Sequence, residues 1–194
     1  MLSLLLRLGL NNKGELDLRL EHSKILMGLS LATTLVPYTA YCEVYLSEEA
    51  AVKSIFPKGQ LTKKVLELSP EEVKTIEDTS GEKVRNSKPV VWVGSGKSAV
   101  FIDQVLGKHE FITIAAGITA GQVQGIEVME YRETYGQQVR GSAWRKQFVG
   151  KNLSSPLKLN QDIVNISGAT LSSAHITAGV RRLLRTYEII SSRL

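Results

Sequence analysis

Asn165-Ile166-Ser167-Gly168-Ala169-Thr170-Leu171-Ser172-Ser173 gathers small and hydroxylated residues directly ahead of an apolar pattern. Ile176, Val180, Leu183, Leu184, Tyr187 and Ile190 recur at three- and four-residue spacing, which predicts one amphipathic helix over 174–191. Gly168 allows a left-handed turn, and Ala169 adds little bulk beside the hydroxyl that follows. Thr170, Ser172 and Ser173 then stand where N-cap residues belong, with their oxygens toward unpaired helix amides. Two kinds of chemistry are open to such a run. It is a plain capping sequence, or the free amides and the helix dipole make it a seat for a phosphate.

A second stretch carries polar groups at a turn. Met129-Glu130-Tyr131-Arg132-Glu133-Thr134-Tyr135-Gly136 ends a predicted strand, and Trp144-Arg145-Lys146-Gln147-Phe148-Val149-Gly150-Lys151 follows shortly after. On the residues alone this is a strand end, a glycine turn and a short helix with two aromatics in the core. Gly96-Lys97-Ser98 suggests a phosphate loop, but that loop needs a glycine where Val91 stands and a helix after the serine. Ala99-Val100-Phe101-Ile102 reads as a strand, so a hairpin turn is expected. His22, His109 and His175 are far apart, and the single cysteine forms neither an internal disulfide nor a Cys-x-x-Cys pair. No metal site is expected from them.

Ser-Gly-Ala-Thr-x-Ser-Ser ahead of a C-terminal helix resembles the flavinylation signature of the FMN-binding domain family, which includes the FMN-carrying subunits of Rnf and sodium-pumping NADH:quinone oxidoreductase complexes. Glu133-Thr134-Tyr135-Gly136 is similar to the family's Glu-Thr-Pro-Gly turn, and Gln147-Phe148-Val149-Gly150 to its Gln-Phe-x-Gly element. The likeness covers about 111–184. Tyr135 stands where the family has Pro, and Val164 where it usually has Asp, with Asp162 two residues earlier. The resemblance implies FMN linked by a phosphodiester to Thr170, placed there from FAD by a flavin transferase. It also implies a cofactor environment of Ser167, Gly168, Ala169, Leu171, Ser172, Ser173, Glu133, Thr134 and Gly136. Trp144 or Phe148 would supply an apolar wall. The function it implies is an electron carrier with membrane or periplasmic electron-transfer partners, and Thr170 would be a modification site, not a catalyst.

The elements that must hold these stretches can also be read. A chain of 194 residues, 43% hydrophobic, suits one globular domain with an N-terminal extension. The net charge of +5 is spread thinly, so nucleic acid is not an expected partner. Arg19 and Lys24, the apolar run 25–36 and the small residues Ala40 and Cys42 have the order of a secretory signal, predicting export to the periplasm or the outer face of the cytoplasmic membrane. Retention as an anchor and the origin of residues 1–23 stay open. The expected organisation is an extension and signal over 1–42, a helical segment over 43–88 and an FMN-binding domain over 89–194. Helices are expected over 45–56, capped by Ser47 and stopped by Pro57, and from Ser69-Pro70-Glu71-Glu72 to Gly81. A short strand over 63–68 and four more between 89 and 131 predict an antiparallel meander. The fold class is α+β, an antiparallel sheet packed by N-terminal and C-terminal helices. Two rival functions remain at this level: a reductase that binds FMN non-covalently, and an exported interaction module without redox chemistry.

Overall fold

The structure, a computed structural model, describes residues 9–10, 16–17, 43–44 and 46–194. The chain divides into two units, Met1–Thr39 and Ala40–Leu194. In the first, β1 (Gly9–Leu10) pairs antiparallel with β2 (Leu16–Asp17). The expected secretory pattern, from Arg19 and Lys24 to Cys42, lies outside the described residues.

The second unit is built on one antiparallel sheet. Its strands are β3 (Glu43–Val44), β4 (Thr62–Val65), β5 (Val90–Val93), β6 (Ala99–Leu106), β7 (Phe111–Thr119) and β8 (Gln122–Tyr131), in the spatial order β3-β8-β7-β6-β5-β4. β5 to β8 form the expected meander, each strand pairing with the next. Ser95–Lys97 is a single 3-10 turn that leads straight into β6, so the Gly96-Lys97-Ser98 stretch is a hairpin connection.

Alternation along the strands sends side chains to two apolar layers. Val91, Ala99, Phe101, Ile112, Ile114 and Ala116 face one side, while Trp92, Val100, Ile102, Ala115 and Met129 face the other. The smaller layer is closed by α1 (Glu48–Ile55), whose N-cap Ser47 accepts from Ala50 N–H, as expected. The larger is closed by α4 (Thr170–Ile190), which buries Ile176, Val180, Leu183, Leu184, Tyr187 and Ile190. Between them come α2 (Pro70–Ser80), which starts on a complete Ser69/Glu72 capping box, and the short α3 (Ser142–Arg145). The architecture is α+β, with a helix on each face of the sheet.

α4 holds its neighbours by charge as well as by apolar packing. Arg182, 5% exposed, pairs with Asp103 of β6 and donates to Lys83 O and Gln104 O. Arg181 donates to Ser80 O and Leu157 O. A buried guanidinium needs this many acceptors to offset its lost hydration. The result is a helix fixed along its length, so its first turn has a defined place.

α4 differs from the expected helix at its start. It begins at Thr170, four residues earlier than the apolar spacing indicates, and Ala169 is the N-cap residue. Thr170, Ser172 and Ser173 therefore lie inside the first turn and cap nothing. Ser173 Oγ instead donates to Ala169 O at 2.9 Å, and Ser172 Oγ shares a 3.0 Å hydrogen bond with Tyr131 OH. No side chain caps the helix, so its leading amides keep their hydrogen-bonding capacity.

Candidate functional site

Three chain segments converge on a cleft of about 540 Å³. Lys108 and His109, at the tip of the β6–β7 hairpin, form one wall, and Glu133, Thr134 and Tyr135, just after β8, form the second. Gly168, Ala169, Thr170, Leu171 and Ser172 make the floor. The two polar stretches singled out in the sequence therefore meet in space, and the hairpin tip joins them.

Thr170 is exposed and opens the helix, with its side-chain oxygen accepting from Asn165 Nδ2 at 3.1 Å. Gly168 sits at φ +81, a left-handed conformation that L side chains rarely adopt, and turns the chain into the helix. Ala169 is 4% exposed and packs into the core, which anchors the floor.

Tyr131 connects floor and second wall. Its hydroxyl donates to Tyr135 O at 2.6 Å and lies 3.0 Å from Ser172 Oγ. Burial pushes the phenol's pKa up, the Ser172 hydrogen bond opposes this, and the Glu133 charge adds to the rise. The group stays a neutral donor. Gly136 serves the same junction: a Cβ there would lie 2.5 Å from Tyr131 OH and 2.9 Å from the Ala169 Cβ. The close approach this glycine permits is between the two turns; it does not line the cleft.

Glu133 fastens the second wall to the first. Its Oε1 accepts from His109 N–H at 2.5 Å and Glu110 N–H at 3.0 Å. Burial alone pushes the carboxyl up, but the amides of Glu110, His109 and Lys108, with the nearby His109, outweigh it and hold the pKa below the usual value. A carboxyl lowered on folding stabilises fully above its unfolded pKa, about 4.3, and loses that contribution as pH falls through the folded value. Glu133→Gln is therefore expected to cost about 1–3 kcal/mol at neutral pH, with the deficit shrinking below roughly pH 4. Urea unfolding at pH 7 and pH 3.5 checks this. A deficit equal at both values would show that the charge is not what holds the hairpin tip.

His175 completes the link, with Nδ1 3.1 Å from Gly107 O.

Other expected site residues lie elsewhere. Trp144 and Phe148 form no wall of the cleft: they are 6% and 0% exposed and meet edge to face in the core at 5.1 Å. Trp144 Nε1 donates to Val164 O and Gln147 Oε1 accepts from Val164 N–H, each at 2.8 Å. The Gln-Phe-x-Gly element thus grips the chain leading into the floor. Ser173 is fully buried, and Ser167 is exposed but does not line the cleft. Asp162 is spent on the amides of Leu157 and Lys158 and on the Lys151 ammonium. Sequence reasoning missed Tyr131, Lys108 and His109 as site-forming residues, and Tyr135, whose ring is 79% exposed at the cleft. For Tyr135 the signal was available, since an aromatic in a polar glycine turn has no apolar periodicity to explain it.

The residues present suit a flavin mononucleotide. The cleft falls in the size range of small-molecule sites. An uncapped helix start and Lys108 offer N–H groups and positive charge to a phosphate. Tyr135 and Leu171, both exposed, offer apolar surface to a ring. Among the described residues no group of three or more metal-binding side chains occurs, and no helix is long and apolar enough to cross a membrane.

Residues 107–185 match the sequence model of the FMN-binding domain family. No curated protein matches the chain. The matched segment begins at Gly107, in the hairpin tip, and ends within α4, so it contains all three parts of the cleft. Over residues 107–185, the part that holds the cleft, the chain thus matches the FMN-binding domain family, and that match supports reading it as a flavin-binding protein.

Proposed function

We propose that this protein is an exported electron carrier holding FMN as a phosphodiester on Thr170. The observation that carries this reading is that Thr170, an exposed residue, opens an uncapped helix at the floor of a flavin-sized cleft. An ester at that oxygen leaves one negative charge on the phosphate beside the amides of the first turn, which favour it by about 0.3–1 kcal/mol. Lys108, on the first wall, adds positive charge. Thr134 presents a hydroxyl and Tyr135 a phenol ring, while Leu171 provides apolar contact from the floor. Bound flavin supplies the redox chemistry, and the chain supplies its position and surroundings.

The lining side chains favour carriage over turnover. Glu133, the cleft's carboxylate, is engaged by backbone amides instead of a side chain that could relay a proton. A covalent tether agrees with the secretory pattern that ends at Cys42, because a cofactor that dissociates outside the cytoplasm is lost. A flavin transferase would mature the protein, and membrane or periplasmic redox proteins would exchange electrons with it.

The test is intact mass after acid denaturation of protein coexpressed with a flavin transferase. The expected result is the chain plus FMN less one water. Yellow protein that releases its flavin on denaturation would instead make this a non-covalent FMN reductase or binder. Colourless protein of bare-chain mass would leave an exported interaction module as the better reading.

A further inference from the structure

Asn165 lies outside the Ser-Gly-Ala-Thr group and does not line the cleft, yet its Nδ2 donates to Thr170 Oγ1 at 3.1 Å. Its other amide atom, Oδ1, is buried and meets no protein donor. Buried carbonyls without a partner are uncommon, because the lost hydration goes uncompensated. The side chain is not needed to close its own loop. Val164 is gripped at both backbone groups by Gln147 and Trp144, and Ala169 N–H donates to Ile166 O at 2.9 Å. The chain is thus fixed on either side of Asn165 by other bonds, and the hydrogen bond that this amide makes runs to the Thr170 hydroxyl.

We propose that Asn165 is the positioning residue for FMN attachment, orienting the Thr170 hydroxyl toward the cleft; this rests on the reading of Thr170 as the acceptor. In that step Thr170 Oγ1 forms a bond to the FMN-side phosphorus of FAD. The phosphoanhydride P–O bond breaks, AMP leaves with the bonding electron pair, and the hydroxyl proton is released. An N–H donor suits the oxygen throughout. A threonine hydroxyl can accept from it while keeping a lone pair for the new bond, and the ester oxygen, which has lost its proton, can still accept. A carboxylate at this place could accept from the free hydroxyl but could not donate to the ester. It would also set a negative charge beside the incoming phosphate. Holding the nucleophile in one rotamer matters because small misplacements of a reacting atom cost large factors in rate.

The experiment follows FMN attachment over time by intact mass, using full-length protein, FAD and a flavin transferase, for the parent chain, Asn165→Ala and Asn165→Asp. Thermal midpoints are recorded alongside. Both variants are expected to load about tenfold more slowly or worse while the midpoint stays near the parent's. Asn165→Asp keeps the size and shape of the side chain, so it carries the test alone if Asn165→Ala proves unstable. A folded Asn165→Asp that loads as fast as the parent, or faster, overturns the proposal, since the donated hydrogen bond would then be dispensable. Loss of the midpoint in both variants also overturns it, by making Asn165 a fold-supporting residue. A parent chain that takes up no mass overturns the acceptor reading itself and the inference with it, whereas a parent that loads beside unslowed variants removes the inference alone.

Discussion

Thr170→Ala is expected to fold like the parent and to leave denaturant with the mass of the bare chain, even after coexpression with a flavin transferase. Little stability is at stake, because the side chain is exposed, its hydroxyl only accepts from Asn165, and alanine is the better helix former. The change in unfolding free energy should stay within about 0.5 kcal/mol. The loss of attached FMN should be complete, for the neighbouring hydroxyls are poor substitutes. Ser173 is fully buried and donates to Ala169 O, and Ser172 is 4% exposed and engaged with Tyr131. Thr134 lies on the second wall, and Ser167 does not line the cleft. Thr170→Ser retains the oxygen and should load, more slowly because serine's side chain is freer to rotate. Intact mass reads all three proteins. Full FMN mass on Thr170→Ala would move the attachment to Thr134 or Ser167 and remove the reading of the helix start as the acceptor.

The site was legible in the sequence where local chemistry decides the structure. Alternation along β5 to β8 gave the meander, and Ser69-Pro70-Glu71-Glu72 gave the start of α2, because both signals need only near neighbours. Thr170 and Thr134 could be placed near one cleft only through the family resemblance. What stayed hidden depends on partners far away in the chain. Glu133 looked like a ligand contact, but its carboxylate holds amides more than twenty residues earlier. Trp144 and Phe148 looked like a wall because aromatics serve walls and cores equally well, and only the packing of the 163–166 segment over them decides. The start of α4 was set too late because serine and threonine favour caps intrinsically. Here Ser172 and Ser173 find other partners, in Tyr131 and Ala169, and the helix extends through them. Arg182 occupies a position that composition assigns to solvent, and Asp103, more than seventy residues away, is what allows its burial.

The same dependence on distant partners makes Gly136, at the junction behind the cleft, a sensitive position. Gly136→Ala meets two penalties at once. Its φ of +92 strains any L side chain, by about 1–2 kcal/mol. The new Cβ would also lie 2.5 Å from Tyr131 OH and 2.9 Å from the Ala169 Cβ, and neither atom is at the end of a free side chain. Tyr131 is 2% exposed and hydrogen-bonded to Tyr135 O and Ser172, and Ala169 is held in the core. If Tyr131 yields, its hydrogen bonds go; if Ala169 yields, the start of α4 moves and Thr170 with it. Overpacking of this kind costs about 1–3 kcal/mol, so the combined loss should be about 3 kcal/mol, lowering the midpoint by roughly 10 °C. FMN attachment should fall tenfold or more even where the variant is folded, because either escape displaces the acceptor. Gly168→Ala is the control that separates the two penalties. Its φ of +81 is comparable, but nothing stands within 4 Å of the added carbon. It should therefore lose only the conformational part, about 1 kcal/mol. Equal urea midpoints for the two variants would show that the contact between the turns yields freely, and Gly136 would then be an ordinary turn glycine instead of the joint between the floor and the second wall.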